Sequence, residues 1–169
     1  DFPWLQFWSN RESRCVLLLH VLLLAGTLAY QQYCTLPLAC YFLDVGQGDC
    51  AVIVTPSQRV AIIDTGGLKN LSTATRVITP FLRYLGKREA DILLLSHYDF
   101  AHVGAAADLL RQLQVKKLLL PNEALTEESQ RVQQEILAQA GRTQVHVVQS
   151  GERYALDAAA ELVLVDVPQ

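Results

Sequence analysis

The run Ser96-His97-Tyr98-Asp99-Phe100-Ala101-His102 places two imidazoles and one carboxylate within six residues, in a chain that has only four histidines. Imidazole nitrogen and carboxylate oxygen are the donors that Zn²⁺ or Mn²⁺ takes, so His97, Asp99 and His102 form a candidate metal-binding group. The segment follows the apolar residues 92–95, Ile-Leu-Leu-Leu, which read as a buried strand. It therefore falls at a strand's C-terminal end, where α/β folds place their chemistry. The alternative is a polar turn holding two histidines by chance, since short motifs match at random.

The elements that must position this segment follow from the hydrophobic pattern. Residues 41–45, 50–55 and 60–63 are short β-branched or aromatic runs separated by Gly46-Gln47-Gly48-Asp49 and Pro56-Ser57-Gln58, which predicts a three-stranded meander. A helix is expected from Ser72 or Thr73 to Leu85, with Pro80 marking a kink or a late start. After the histidine loop comes a helix over 103–113, a strand over 117–120 and a long helix over 126–140. That long helix has Thr126 as its N-cap and Glu127 and Glu128 in its first turn. Strands follow at 145–148 and 161–165. Strands followed by alternating strand–helix units predict a layered α/β or α+β fold.

Ahead of this lies a different kind of sequence. Residues 15–30 contain no Asp, Glu, Lys or Arg and one histidine, His20, and extending the run to 33 brings it to membrane-spanning length. Trp4 and Trp8 before it and Tyr30 and Tyr33 after it resemble interfacial aromatic belts. A transmembrane helix over 15–33 is expected, with a signal peptide as the competing reading. Arg11 and Arg14 precede the span, so the positive-inside rule puts the N-terminal side in the cytoplasm and residues after 33 outside. The expected organisation is an aromatic membrane-flanking segment (1–14), the span (15–33), a linker (34–40) and a domain (41–169).

Composition narrows the function classes. The chain is 51% hydrophobic and 18% charged with a net charge of −3, so no global basic field draws nucleic acid to it. Arg83, Lys87 and Arg88, and separately Lys116 and Lys117, form two local basic clusters, read as solvated surface or as a patch for a DNA backbone. The sequence contains no Met, which fits a piece of a longer protein. Cys15, Cys34, Cys40 and Cys50 show no CxxC spacing, and Cys34 and Cys40 are near enough in sequence to bridge in an oxidising compartment, though nothing forces it.

Three segments together carry a resemblance. Phe42-Leu43-Asp44-Val45-Gly46-Gln47-Gly48-Asp49, then Ile62-Ile63-Asp64-Thr65-Gly66-Gly67, then Leu94-Leu95-Ser96-His97-Tyr98-Asp99 through His102-Val103-Gly104 resemble, in order and spacing, the metallo-β-lactamase-like domain of ComEC-type DNA-uptake channel proteins. The resemblance covers residues 41–167. It implies an αββα sandwich, incomplete here, with a metal site at one edge, and a metal-dependent hydrolase acting as a nuclease or phosphodiesterase on incoming DNA. It implies Zn or Mn held by His97 and Asp99 at a first site and by His102 at a second, with Asp99 and His102 catalytic. Asp64 would orient the ligand loop from the neighbouring strand end, or simply cap a turn. Asp44 and Asp49 shape the glycine turn or reach the site. The implied partners are DNA through its backbone, the membrane and other DNA-uptake components. The implied location is the bacterial inner membrane with the domain on its outer face.

Two departures weaken the implied activity. The family pattern is His-x-Asp-x-Asp-His, and its second Asp is Ala101 here, which has no lone pair to give. The family's later ligands fall beyond the position matching Gln169, and His146, alternating within a strand, is expected to point off its face. The expected function is therefore an impaired metal-dependent nuclease domain. The alternatives are a non-catalytic accessory domain of the channel and a metallo-hydrolase acting on small molecules.

Overall fold

A computed structural model describes residues 11–33, 37–67, 72–158 and 160–165, without the side chains of 31–33. The chain divides into two units, residues 1–36 and 37–169. The first contains helix α1, Arg11–Tyr33. Over Arg11–Tyr30 it is long and apolar enough to cross a membrane, judged by length and composition. Its large side chains, Leu18 and Leu22 among them, stand exposed. Two polar side chains within the apolar run bond back to the helix: His20 Nδ1 lies 2.7 Å from the Val16 carbonyl and Thr27 Oγ1 donates to the Leu24 carbonyl at 2.8 Å. Such back-bonding satisfies a polar side chain without solvent. Trp4 and Trp8 lie outside the described residues, as does Cys34. Cys15, Cys40 and Cys50 are free thiols.

The second unit is built on a six-stranded sheet in sequence order: β1 Ala39–Phe42, β2 Ala51–Val54, β3 Val60–Ile63, β4 Glu89–Leu94, β5 Gln114–Leu120 and β6 Gln144–Val147. The first three strands pair antiparallel, which is the expected meander, and β3 to β6 pair in parallel. The parallel strands read as near-continuous apolar runs because both of their faces are covered. Alternation sorts their residues into two cores. Ile62, Leu93, Leu118 and Leu120 face the helices, while Ala61, Ile92, Leu94 and Leu119 face the other way.

The helical face is covered by α2 (Thr79–Tyr84), α3 (Phe100–Val103), α4 (Ala106–Gln112) and α5 (Glu127–Gln139), which contribute Leu82, Val103, Leu109 and Ile136 to the first core. Each such fully buried aliphatic side chain contributes about 1.5–3 kcal/mol. The opposite face is covered by a two-stranded antiparallel ribbon, β7 Arg153–Ala155 and β8 Glu161–Val163, through Tyr154, Leu156 and Leu162. Helices, main sheet and second sheet thus form three successive layers of the sandwich.

Local chemistry accounts for the irregularities. Pro80, which has no N–H, sits in the first turn of α2, where none is needed, and the segment before it winds as a π-helical turn, Ala74–Ile78. The helix expected over 103–113 is broken between α3 and α4, since Ala105 (φ −113°, ψ 5°) leaves helical geometry there. Thr126 caps α5 through a reciprocal bond pair with Ser129.

Candidate functional site

The site lies where β3 and β4 end. Asp64 follows β3 in the left-handed region (φ 57°), a conformation Asp tolerates better than most residues. Its amide still donates to the Leu94 carbonyl at 2.8 Å, so the β3–β4 ladder fixes its place. The residue is 4% exposed. Oδ1 accepts the Ser96 amide at 2.7 Å, Oδ2 accepts the Ser96 hydroxyl at 2.6 Å, and His102 Nδ1 stands 3.0 Å from Oδ2. His97 Nδ1 lies 3.1 Å from Ser96 Oγ. With the Ser96 proton given to Asp64, its oxygen accepts from His97. In the neutral form of each imidazole, this arrangement puts the proton on Nδ1 and leaves Nε2 bare. The two rings are neighbours, with centroids 5.3 Å apart and planes at 50°.

The backbone around them is equally constrained. The buried Thr65 takes the His102 carbonyl twice, by its amide at 2.7 Å and its hydroxyl at 3.1 Å. Asp49 donates its amide to the Ala101 carbonyl at 3.2 Å. Gly48, at φ +104°, lets this approach happen: a Cβ there would sit 1.8 Å from the Ala101 oxygen. Tyr98 is buried, its amide donates to Glu123 at 2.9 Å, and its hydroxyl accepts from Gln133 of α5 at 2.6 Å. Burial, with the Glu123 charge helping, raises the Tyr98 pKa against the Gln133 bond. Burial and then the Asp64 charge push the Cys50 thiol up to about 12.

The expected site residues divide. His97, His102 and Asp64 come together. The Asp99 side chain makes no bond to them: Asp99 precedes α3, its carbonyl accepts the His102 amide at 2.9 Å, its carboxylate makes no cap bond, and the residue lines a cleft of about 230 Å³ against α5 with Thr126 and Ser129. His97 instead lines an open cleft of about 670 Å³ at the ends of β4 to β6, beside Pro121, Glu123 and Ser150. Asp44 bonds the Gly46 amide at 3.1 Å, a turn-shaping role. His146 is engaged with Glu152 at 3.1 Å and the edge of the Tyr154 ring. Ser96, Thr65 and Glu123 were not singled out as site residues from the sequence. The Asp-Thr-Gly run at a strand end was the available signal for Thr65.

The donors gathered fall short of a metal shell. Two imidazoles meet, the next position along the loop is Ala101, and among the described residues no group of three or more His, Cys, Asp or Glu side chains could hold a metal ion. Divalent-metal chemistry therefore does not fit this donor set as it stands.

Comparison with known proteins agrees with the fold. Residues 43–161 match the family profile described as "Metallo-beta-lactamase superfamily". The chain is 35% identical over 98 residues to "ComE operon protein 3" of Bacillus subtilis (strain 168); the match covers 50% of this chain and 13% of that protein. The matched profile spans well over half the chain, and the layered sheet with its histidine loop at the strand ends lies within it, so the protein belongs to the metallo-beta-lactamase superfamily.

Proposed function

We propose that this chain is the metallo-β-lactamase-like part of a membrane-anchored bacterial DNA-uptake protein, and that its strand-end site is a weakened form of a metal-dependent nuclease centre. The superfamily binds divalent metals such as zinc. In this reading His97, Asp99 and His102 are the inherited ligand positions, Asp99 and His102 the inherited catalytic ones, and Asp64 the residue that holds the imidazoles. The domain sits on the outer face of the inner membrane, anchored by residues 15–33, with DNA and other uptake components as its partners.

One observation carries the reading. The bonds that orient ligands are intact around Asp64 and Ser96, while Ala101 supplies no donor and Asp99 lines a separate cleft. An orienting network without a complete ligand set is what loss of a site's donors leaves behind. The same observation favours the second reading, a non-catalytic accessory domain of the channel.

The test is metal content of the purified chain, followed by a DNA-cleavage assay with Mn²⁺ or Zn²⁺. We expect less than stoichiometric metal and little cleavage, and a rise in bound metal in Ala101→Asp. Stoichiometric metal with DNA cleavage by the unaltered chain would remove both the weakened-site and the accessory readings. No gain of metal in Ala101→Asp would show that the missing carboxylate is not the lesion.

A further inference from the structure

The cleft beside His97 has two walls of different origin. Leu95, Pro121 and Glu123 come from the loops that follow β4 and β5, whereas Gln149, Leu164 and Val165 come from the β7–β8 ribbon and the turn that leads into it. The first wall is tied to the histidine loop, because Glu123 accepts the Tyr98 amide. The second is placed by whatever holds the ribbon.

The ribbon is one piece with two attachments. Besides the β7–β8 pairing, the Gly151 amide donates to the Leu164 carbonyl at 2.8 Å and the Leu164 amide to the Glu152 carbonyl at 3.0 Å. At the end away from the cleft, Leu156 is buried in the second core, and Asp157 accepts the Ser57 hydroxyl at 2.5 Å and the Ser57 amide at 3.3 Å. At the cleft end the attachment runs through Glu152. Its Oε2 accepts the Gln149 amide at 3.1 Å and the Tyr154 hydroxyl, and it lies 3.1 Å from His146 Nε2. Gln149 and Tyr154 belong to the turn and the ribbon; His146 belongs to β6 of the main sheet. The two attachments differ in burial. The His146 and Glu152 side chains are 49% and 33% exposed, and a pair so exposed holds weakly. The cleft end is therefore the end that opens first.

We propose that the ribbon is a gate on the histidine cleft, swinging on its Leu156–Asp157 end and latched by the Glu152–His146 bond, which is tighter when His146 is protonated. Glu152 is then a positioning residue for the cleft wall. The proposal concerns access to His97 and does not rest on the nuclease reading.

The pH dependence follows from the groups around His146. These are Glu152, the edge of the Tyr154 ring and, on the far side of that ring, Lys117 of β5; the neighbouring Arg153 is engaged by Glu161 of β8. The Tyr154 hydroxyl and then the Gln149 amide hold the Glu152 carboxyl below its usual range. Burial, then the Glu152 bond and charge, push the Tyr154 hydroxyl up to about 12. Between about pH 5 and 8 neither of them changes charge, and histidine is the side chain that does. An imidazolium facing a carboxylate makes a stronger bond than a neutral imidazole. The latch is tight at the acid end of that range and loosens as pH rises through it.

The test is amide exchange, residue by residue, on the full chain in detergent micelles, with each rate expressed as protection relative to an unstructured amide. The reporters are the Gln149 amide, bonded to the Glu152 carboxylate, and the Glu152 amide, bonded to the Gln149 carbonyl. From about pH 5 to about pH 8 we expect their protection to fall about two- to fivefold. The Gly151 and Leu164 amides inside the ribbon, and the Leu95 amide bonded to Leu119 of the main sheet, should hold steady. His146→Gln should remove the pH dependence. Glu152→Gln should lower protection at both ends of the range and raise carbethoxylation of His97 relative to His102, which does not line this cleft. Protection independent of pH in the unaltered chain overturns the proposal. So does equal loss at Gly151 and Leu164, which would mean that the ribbon unravels and does not swing. Unchanged His97 reactivity in Glu152→Gln overturns the gate as well. If Glu152→Gln fails to fold, His146→Gln decides, since a pH dependence that survives it rejects the latch.

Discussion

Two aspartates tie the sheet together at opposite ends of the same strands, and they do it differently. Asp64, buried at the carboxyl end, accepts the amide and hydroxyl of Ser96 and faces the half-buried His102. Asp91, at the amino end, accepts the Val60 amide at 2.9 Å, Arg59 at 2.7 Å and Lys116 at 2.9 Å. Each has three partners. The partners of Asp64 are a backbone amide and short side chains, and Ser96 Oγ is shared with His97. Two of the partners of Asp91 are long, exposed cations that turn to water when released. The carboxyl end is therefore a site in which every group depends on its neighbours, and the amino end is a surface.

The largest break in this contrast is Asp64→Ala. It orphans the Ser96 amide and hydroxyl and forces alanine into a positive φ, at a cost of about 3 kcal/mol. Asp64→Asn, which keeps the shape and tolerates the backbone, should lose less. Chemical denaturation followed by circular dichroism measures both, and a loss below about 1 kcal/mol for Asp64→Ala would mean the network is not holding the loop. Next comes Gly48→Ala. Its new Cβ would meet the Ala101 carbonyl, so the turn must shift at a cost of roughly 2 kcal/mol. Amide exchange should speed up at Asp49 and His102 before it does so elsewhere, and unchanged exchange there would separate the glycine turn from the histidine loop.

Asp91 gives the smallest effect and one dependent on pH. Burial raises its pKa, but the Val60 amide, Lys116 and Arg59 together outweigh that and hold it below the ordinary 3.8. A carboxyl with a depressed native pKa adds stability that is full above the ordinary value and is lost as pH falls toward the native one. Asp91→Asn should therefore cost about 1 kcal/mol at neutral pH and flatten the loss of stability below about pH 4. A mutant with an unchanged acid limb would show that these ion pairs do not contribute to folding.

Local signals made part of this legible in advance. Residues 60–63 and the Thr126 start of α5 were readable because a β-branched run and an N-cap are short-range facts. Pro80 announced a late start of the regular helix, which α2 has, but not the π-helical turn that precedes it. The ribbon strand β7 was missed: three residues with one inward side chain, Tyr154, carry too little pattern to detect. The expected donor trio rested on spacing and on the family likeness. Spacing does not fix where a loop turns each side chain, which is why Asp99 lines a different cleft from His97.

The sequence by itself determined the order of the elements, the family likeness, the apolar helix and the absence of a carboxylate at Ala101, because each is written in residues close together along the chain. Only the tertiary structure decided that Ser96 links Asp64 to His97, that Asp99 stands apart, and that Lys87 and Arg88 share a cleft with Lys116. Those facts depend on which strands lie side by side and in which direction, and pairing between distant segments is settled by how a whole sheet buries its two faces.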